Sequence, residues 1–417
     1  MTSTTTLPRA VDAPLVPARQ ASRQASQVPA AGRLVLRLLQ HLQVGSLDLE
    51  LPDGRALRLG TATQPRATLR LLDWAACTAV LRRGDIGLAQ AWIDGHWTSP
   101  DPVALLELLL ANRTVLERVV YGTWWGALAG RVRHWLNRNS RRGSRQNIHA
   151  HYDIGNAFYR LWLDETMNYS SAWFDGDRTQ PMAQAQTAKL RRALQQCGVQ
   201  PGQRLLEVGC GWGAVAEEAA RQGVHVTGVT LSDEQLAFAQ QRLVDQGLAA
   251  RADLRLQDYR DIADGPFDAI VSIEMFEAVG RAYWDGYFRM LARNLKPGGR
   301  ACVQTITIHD DLFERYVRST DFIQQYIFPG GLLPSVSAFR HHAQRAGLQV
   351  ETELAFGADY AETLRRWRAA FGAREAEVRA QGFDTRFVRT WDFYLAYCQA
   401  AFASGNTDVV QFTLLKT

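Results

Sequence analysis

Leu205-Leu206-Glu207-Val208-Gly209-Cys210-Gly211-Trp212-Gly213 reads as a buried strand that breaks into a glycine turn and opens a helix. Glycine lets the backbone turn tightly and approach a ligand that a Cβ would exclude, while the free N–H groups of the next helix start face a polar group. The spacing is G-x-G-x-G with Glu207 two residues before the first glycine. Dinucleotide folds use G-x-G-x-x-G, so the spacing here favours S-adenosylmethionine over NAD.

Working outward, Ala214 to Arg221 is predicted as a helix and His225 to Leu231 as a second buried strand. Ser232 with Gln235 three residues on has the spacing of a capping box and starts the next helix. Leu254 to Leu256, Phe267 to Ile273 and Arg300 to Ile308 continue the strands, the last announced by the turn Pro297-Gly298-Gly299. Strands alternating with helices at this spacing mean βαβ units and a parallel sheet. The fold expected is α/β, a Rossmann-like class I methyltransferase sheet with a smaller N-terminal α+β domain. Ligands of such sheets sit at the carboxyl ends of the strands, so Gly209, Thr230, Asp258 and residues 274 to 277 are expected to face one crevice.

The 417 residues suffice for more than one domain, and no apolar run reaches the roughly 18 residues needed to span a bilayer. Five scattered cysteines without metal-ligand spacing argue against zinc and for a reducing compartment, hence a cytoplasmic protein. Residues 1–32 read as a disordered tail rich in small and polar residues. Residues 33–113 form the small unit, with a hairpin at Leu47 to Leu51 and Ala56 to Leu59 and no catalytic constellation. Residues 114–150 form a basic aromatic linker, in which six arginines between Arg131 and Arg145 accompany Tyr121, Trp124, Trp125 and Trp135 without an acid in the run. That composition suits an anionic membrane surface, and a solvated linker face is the plain alternative. Residues 151–417 carry the glycine turn.

His151-Tyr152-Asp153-Ile154-Gly155-Asn156-Ala157-Phe158-Tyr159, Asn168 to Phe174, Met275 to Gly280, Ile327 to Ser335 and Tyr360 to Leu364 stand in order around that turn. In these motifs the chain closely resembles the cyclopropane-fatty-acyl-phospholipid synthase family, mycolic acid cyclopropane synthases included, over residues 146 to 417. The resemblance implies methyl or methylene transfer from S-adenosylmethionine to the cis double bond of an unsaturated phospholipid acyl chain. It implies a cofactor lining of Tyr169, Ser170, Val208, Gly209, Cys210, Gly211, Trp212, Gly213, Thr230, Leu231, Ser232, Gln235, Tyr259 and Arg260. It also implies peripheral attachment to the inner face of the membrane and no nucleic acid partner, and it leaves room for a homodimer.

An alkene is a weak nucleophile, so the methyl must be held in line in a dry pocket, and the cation formed must lose a proton to a base. The family resemblance implies a bicarbonate ion as that base, held by Cys, Glu, His, Ile and Tyr. Carried over, the Glu is Glu277, the Ile is Ile306 and the Tyr is Tyr360, but Ser171 stands for Cys and Gln304 for His. Ala278 also replaces a family His. These changes open an alternative product, C-methylation without ring closure. Cys398 falls at the family's often-proposed active cysteine, where apolar neighbours at helical spacing favour a packed thiol. Tyr316, Phe322, Tyr326 and Phe328 are candidates for the acyl channel.

Overall fold

Apolar alternation in the N-terminal unit yields β1 (Ser46–Glu50), β2 (Ala56–Gly60), β3 (Arg66–Leu71) and β4 (Trp97–Thr98), ordered β2-β1-β3-β4. The hairpin pairs β1 with β2 antiparallel as the sequence predicts, whereas β1 and β3 run parallel. The computed structural model describes residues 28–61, 64–120 and 154–417. The basic aromatic run 121–150 and His151 therefore lie outside the described residues. A helix starts at Ala30, inside the expected tail, and another covers Arg113–Val120, where the linker was expected to begin.

The second sheet holds β5 (Arg204–Val208), β6 (His225–Thr230), β7 (Ala252–Leu256), β8 (Phe267–Ile273), β9 (Leu295–Ile308), β10 (Leu348–Ala355) and β11 (Thr407–Lys416). Their order is β10-β11-β9-β8-β5-β6-β7. Neighbours from β9 to β7 pair parallel, and only β11 runs against both of its neighbours. Strand order reverses at β5, which lies between β6 and β8, and a crevice at the carboxyl ends is the geometric result.

Packing does not break at residue 113. Leu47, Leu49, Trp92, Trp97, Leu105 and Leu108 of the N-terminal unit share one continuous core with Phe158, Trp162, Trp367, Trp391, Phe393 and Leu395. Trp92 and Trp97 pack with ring planes tilted by 57° and centroids 4.8 Å apart, and Phe393 of the helix Thr385–Ala403 lies 6.2 Å from each. Trp92 Nε1 donates to the Arg389 carbonyl at 3.0 Å, and Arg389 Nε returns a bond to the Trp92 carbonyl at 2.6 Å. The N-terminal unit thus packs onto C-terminal helices, among them Thr385–Ala403, whose Tyr394 and Cys398 wall the cavity described below.

Candidate active site

Gly209, Gly211 and Gly213 all have positive φ, at 86°, 49° and 80°. They serve different ends. A Cβ on Gly209 would come within 2.8 Å of Met275 Cγ, so the first steric limit is the protein's own side chain and not the ligand. At Gly213 it would meet Ala239 Cβ at 2.8 Å, which makes that glycine a helix-packing device; at Gly211 the space is open. The turn is tied down by bonds from the N–H groups of Gly209 and Cys210 to the Val229 carbonyl. Trp212 Nε1 donates to Asn156 Oδ1 at 2.6 Å, and Asn156 Nδ2 reaches the Glu234 carbonyl, so the Gly155-Asn156 motif fixes both the turn and the helix Asp233–Asp245.

One cavity is walled by Glu207 to Trp212, Val229 to Leu231, Gln235, Gln257, Tyr259, Tyr169 and Ser170 on this side. Glu207 is 3% exposed, its Oε2 has no hydrogen-bond partner, and burial holds its carboxyl well above the usual range. A carboxyl oxygen in the wall with no partner from the protein is a polar group left for a ligand donor, and S-adenosylmethionine carries such donors in its ribose hydroxyls and ammonium group. Thr230 donates its hydroxyl to Gln235 Oε1 at 3.2 Å, so Gln235 does not close the capping box; Ser232 alone caps the helix, accepting from Gln235 N at 3.3 Å. Ser232 and Gly213 support the wall from behind and do not line it. Arg260 departs from expectation. It forks onto Asp258, which also caps the short helix Tyr259–Asp261, and it lines a separate shallow hollow, so neither Arg260 nor Asp258 faces the cofactor crevice.

Beyond the cofactor side lies the arrangement that differs most from the carried-over base site. Glu274 Oε1 accepts from the Ser171 backbone N at 2.8 Å and from Gln304 Nε2 at 2.7 Å, while Oε2 accepts from the Tyr360 hydroxyl at 2.7 Å. The groups expected to hold bicarbonate thus hold a carboxylate of the chain instead. Ser171 takes part through its backbone only, its hydroxyl being turned to the Ala172 carbonyl. Glu277 is not in this cluster: its Oε1 accepts from Thr305 Oγ1 at 3.0 Å and from Ile306 N at 2.5 Å, and its Oε2 is bare. With its donors engaged by Glu274, the site does not fit a bicarbonate ion. The sequence reading placed Glu274 among the crevice-facing residues but missed its role.

The two carboxyl groups are pushed apart electrostatically. Burial and the adjacent Glu274 charge drive Glu277 up to about 8. Burial also raises Glu274, opposed by the Lys189 ammonium and by the hydrogen bonds from Tyr360, Ser171 and Gln304. Lys189 is fully buried, donates to Ser170 Oγ at 2.6 Å, and is itself pulled down to about 8 by burial. The two acids differ in their partners: three donors from three segments meet Glu274, whereas both donors to Glu277 fall on one oxygen and leave the other bare.

The far wall is apolar and aromatic: Tyr316, Ile323, Phe328, Leu332, Leu364 and Tyr394, with Ile306, Tyr360 and Cys398 beside them. Phe322 and Tyr326, expected in the channel, instead stack on each other at 5.3 Å within the shared core. Burial pushes the Cys398 thiol far up, which favours the neutral thiol over the nucleophilic thiolate at this point of the wall.

Residues 139–412 match the family described as mycolic acid cyclopropane synthetase. The tuberculostearic acid methyltransferase UfaA1 of Mycobacterium tuberculosis is 38% identical over 402 residues, which cover 94% of this chain and 92% of that one. The cyclopropane-fatty-acyl-phospholipid synthase of Escherichia coli K12 is 36% identical over 335 residues, 80% of this chain and 83% of that one. Among solved structures, mycolic acid cyclopropane synthase CmaA1 complexed with SAH and CTAB superposes with a TM-score of 0.61 at 35% identity, over 65% of this chain and 97% of that one. With the glycine turn, the acidic wall and the apolar far side already in place, the chain belongs to the mycolic acid cyclopropane synthetase family and is an S-adenosylmethionine-dependent methyltransferase.

Proposed function

We propose that this enzyme methylates the cis double bond of an unsaturated acyl chain in a phospholipid, and that Glu274 is the base that removes the proton from the resulting cation. S-adenosylmethionine, when bound, supplies the electrophilic methyl group. Tyr316, Phe328 and Tyr394 keep the pocket dry and offer aromatic faces to a cationic centre. Loss of a proton from the added methyl closes a cyclopropane ring; loss from a neighbouring chain carbon leaves a methylated alkene. The observation that carries the proposal is the Glu274 carboxylate, held by three donors on the wall of this pocket.

The second product, C-methylation without ring closure, is favoured by the replacement of a diffusible ion with a fixed side chain and by the likeness to UfaA1, a tuberculostearic acid methyltransferase. Proton NMR of lipids from cells expressing the chain separates the two, because only the ring gives a high-field methylene signal. Attachment to an anionic membrane surface through Arg131 to Arg145 belongs to the same proposal and is supported by sequence alone.

The test replaces Glu274. Glu274→Gln should lower turnover by about 10²- to 10⁴-fold while leaving S-adenosylmethionine affinity unchanged. Glu274→Gly frees the same three donors, and added bicarbonate or formate should restore part of its lost activity. Native turnover by folded, cofactor-bound Glu274→Gln would remove Glu274 from the chemistry.

A further inference from the structure

Behind Glu274 two buried amides continue the hydrogen-bond chain to the protein's outer layer. Gln304 on β9 and Gln411 on β11 are register partners, and both are completely buried. Gln411 Nε2 donates to Gln304 Oε1 at 2.9 Å, and Gln304 Nε2 donates to Glu274 Oε1 at 2.7 Å. At the outer end, Arg192 Nη1 donates to Gln411 Oε1. Arg192 is half-buried on the helix Met182–Cys197, with its guanidinium 5.7 Å from the Trp173 ring centroid.

The direction of this chain is dictated by chemistry. A guanidinium has five N–H donors and no acceptor, so the Gln411 atom facing it must be oxygen. Gln411 must then present its NH₂ group inward, where it also meets the Lys189 carbonyl at 3.4 Å, another group that can only accept. Gln304 must in turn accept with its oxygen and point its NH₂ at Glu274. A donor so placed bonds well to an ionised carboxylate, whereas a protonated carboxyl offering its own hydrogen at Oε1 would meet donor with donor.

We infer that Arg192, acting through Gln411 and Gln304, is a positioning residue that keeps Glu274 in the carboxylate form needed of a base. Other groups face Glu274 too: Lys189 from the helix Met182–Cys197, Tyr360 from the helix Gly357–Ala373, and Glu277 from the turn Phe276–Ala278. Arg192 itself is faced by Trp173, Asp175 and Cys302. Of these groups the relay alone fixes the orientation of the Gln304 amide. The inference rests on Glu274 being the base.

The pH dependence of turnover in the full-length enzyme, with S-adenosylmethionine affinity measured in parallel, tests it. Arg192→Met and Gln411→Met should each move the acidic limb upward by about one pH unit, roughly a tenfold loss on that limb, with cofactor affinity unchanged. Arg192→Lys, which keeps a donor-only cation, should restore the limb, and infrared difference spectra against the native enzyme should show one additional protonated carboxyl in the Met variants and none in Arg192→Lys. If Gln411→Met does not fold, Gln411→Leu takes its place. A shift in Arg192→Met without one in the Gln411 variant would mean that the charge acts through space and would overturn the relay, as would no shift in either. Glu274→Gln separates the two levels: its loss of turnover beside unmoved limbs sinks the relay only, while its native turnover sinks the base assignment itself.

Discussion

Glu274 sits with φ at +49°, in the left-handed region that costs a residue with a Cβ about 1–2 kcal/mol. Its side chain, held by Ser171, Gln304 and Tyr360, is the compensating interaction. Glu277 differs in kind, with one bare oxygen and a carboxyl pushed up to about 8. Its ordinary value is 4.5, so between there and about 8 the native state keeps a proton that the unfolded chain has released, and stability falls as pH rises through that window. Glu277→Gln keeps an oxygen for Ile306 N and removes this slope. Its melting temperature should match the native one near pH 4 and exceed it by roughly 2–4 °C at pH 8. Parallel curves of melting temperature against pH would locate the titration elsewhere. Sequence separated these two acids poorly, because both follow β8 and read alike, while the partners that distinguish them lie 28 to 103 residues away along the chain.

Among the elements, the helix Ala75–Ile93 joins the N-terminal unit to the apolar side of the pocket. It breaks at Gly84, whose φ of 58° and ψ of −129° are not helical, and the break delivers Asp85 to the helix Phe322–Tyr326. Asp85 Oδ2 accepts from Tyr397 Oη at 3.1 Å and from Phe322 N at 3.3 Å; Tyr326 bonds to Gln90, and Arg83 to Gln325 at 3.0 Å. Tyr397→Phe removes the side-chain donor to the half-buried Asp85 and should cost about 1 kcal/mol of stability. Because Ile323 and Gln324 of the supported helix line the cavity, it should also raise KM for the lipid without changing cofactor affinity. An unchanged unfolding midpoint in urea together with native KM would show that this contact is idle. The parallel strands β5, β6, β7, β8 and β9 were legible because each is a short apolar run between turn signals. The pairings of β10 and β11 were not, since their register is set by antiparallel partners far away in sequence. Arg260 was misplaced for a related reason: its fork onto Asp258, two residues away, is invisible to motif matching.

At the scale of the whole molecule, a continuous core couples the N-terminal unit to the cavity walls, and among the described residues no helix is long and apolar enough to cross a membrane. The proposed attachment to an anionic surface rests on the arginine run between Arg131 and Arg145. Replacing Arg138, Arg141 and Arg142 by Gln should weaken sedimentation with anionic vesicles, most visibly at low salt, by about 1 kcal/mol for each arginine, and leave cofactor affinity intact. Equal sedimentation of native and variant protein at low salt would rule out this run as the contact. The fixed carboxylate has a consequence for the cell as a whole. Codons for glutamate and glycine differ by a single base, so on the proposal that Glu274 is the base, one transition at position 274 separates a catalyst that carries its own base from one that would have to borrow a dissolved ion. On that same proposal, turnover by the chain as it stands is independent of the carbon dioxide content of its surroundings, which comparing turnover in bicarbonate-free and bicarbonate-supplemented buffer checks.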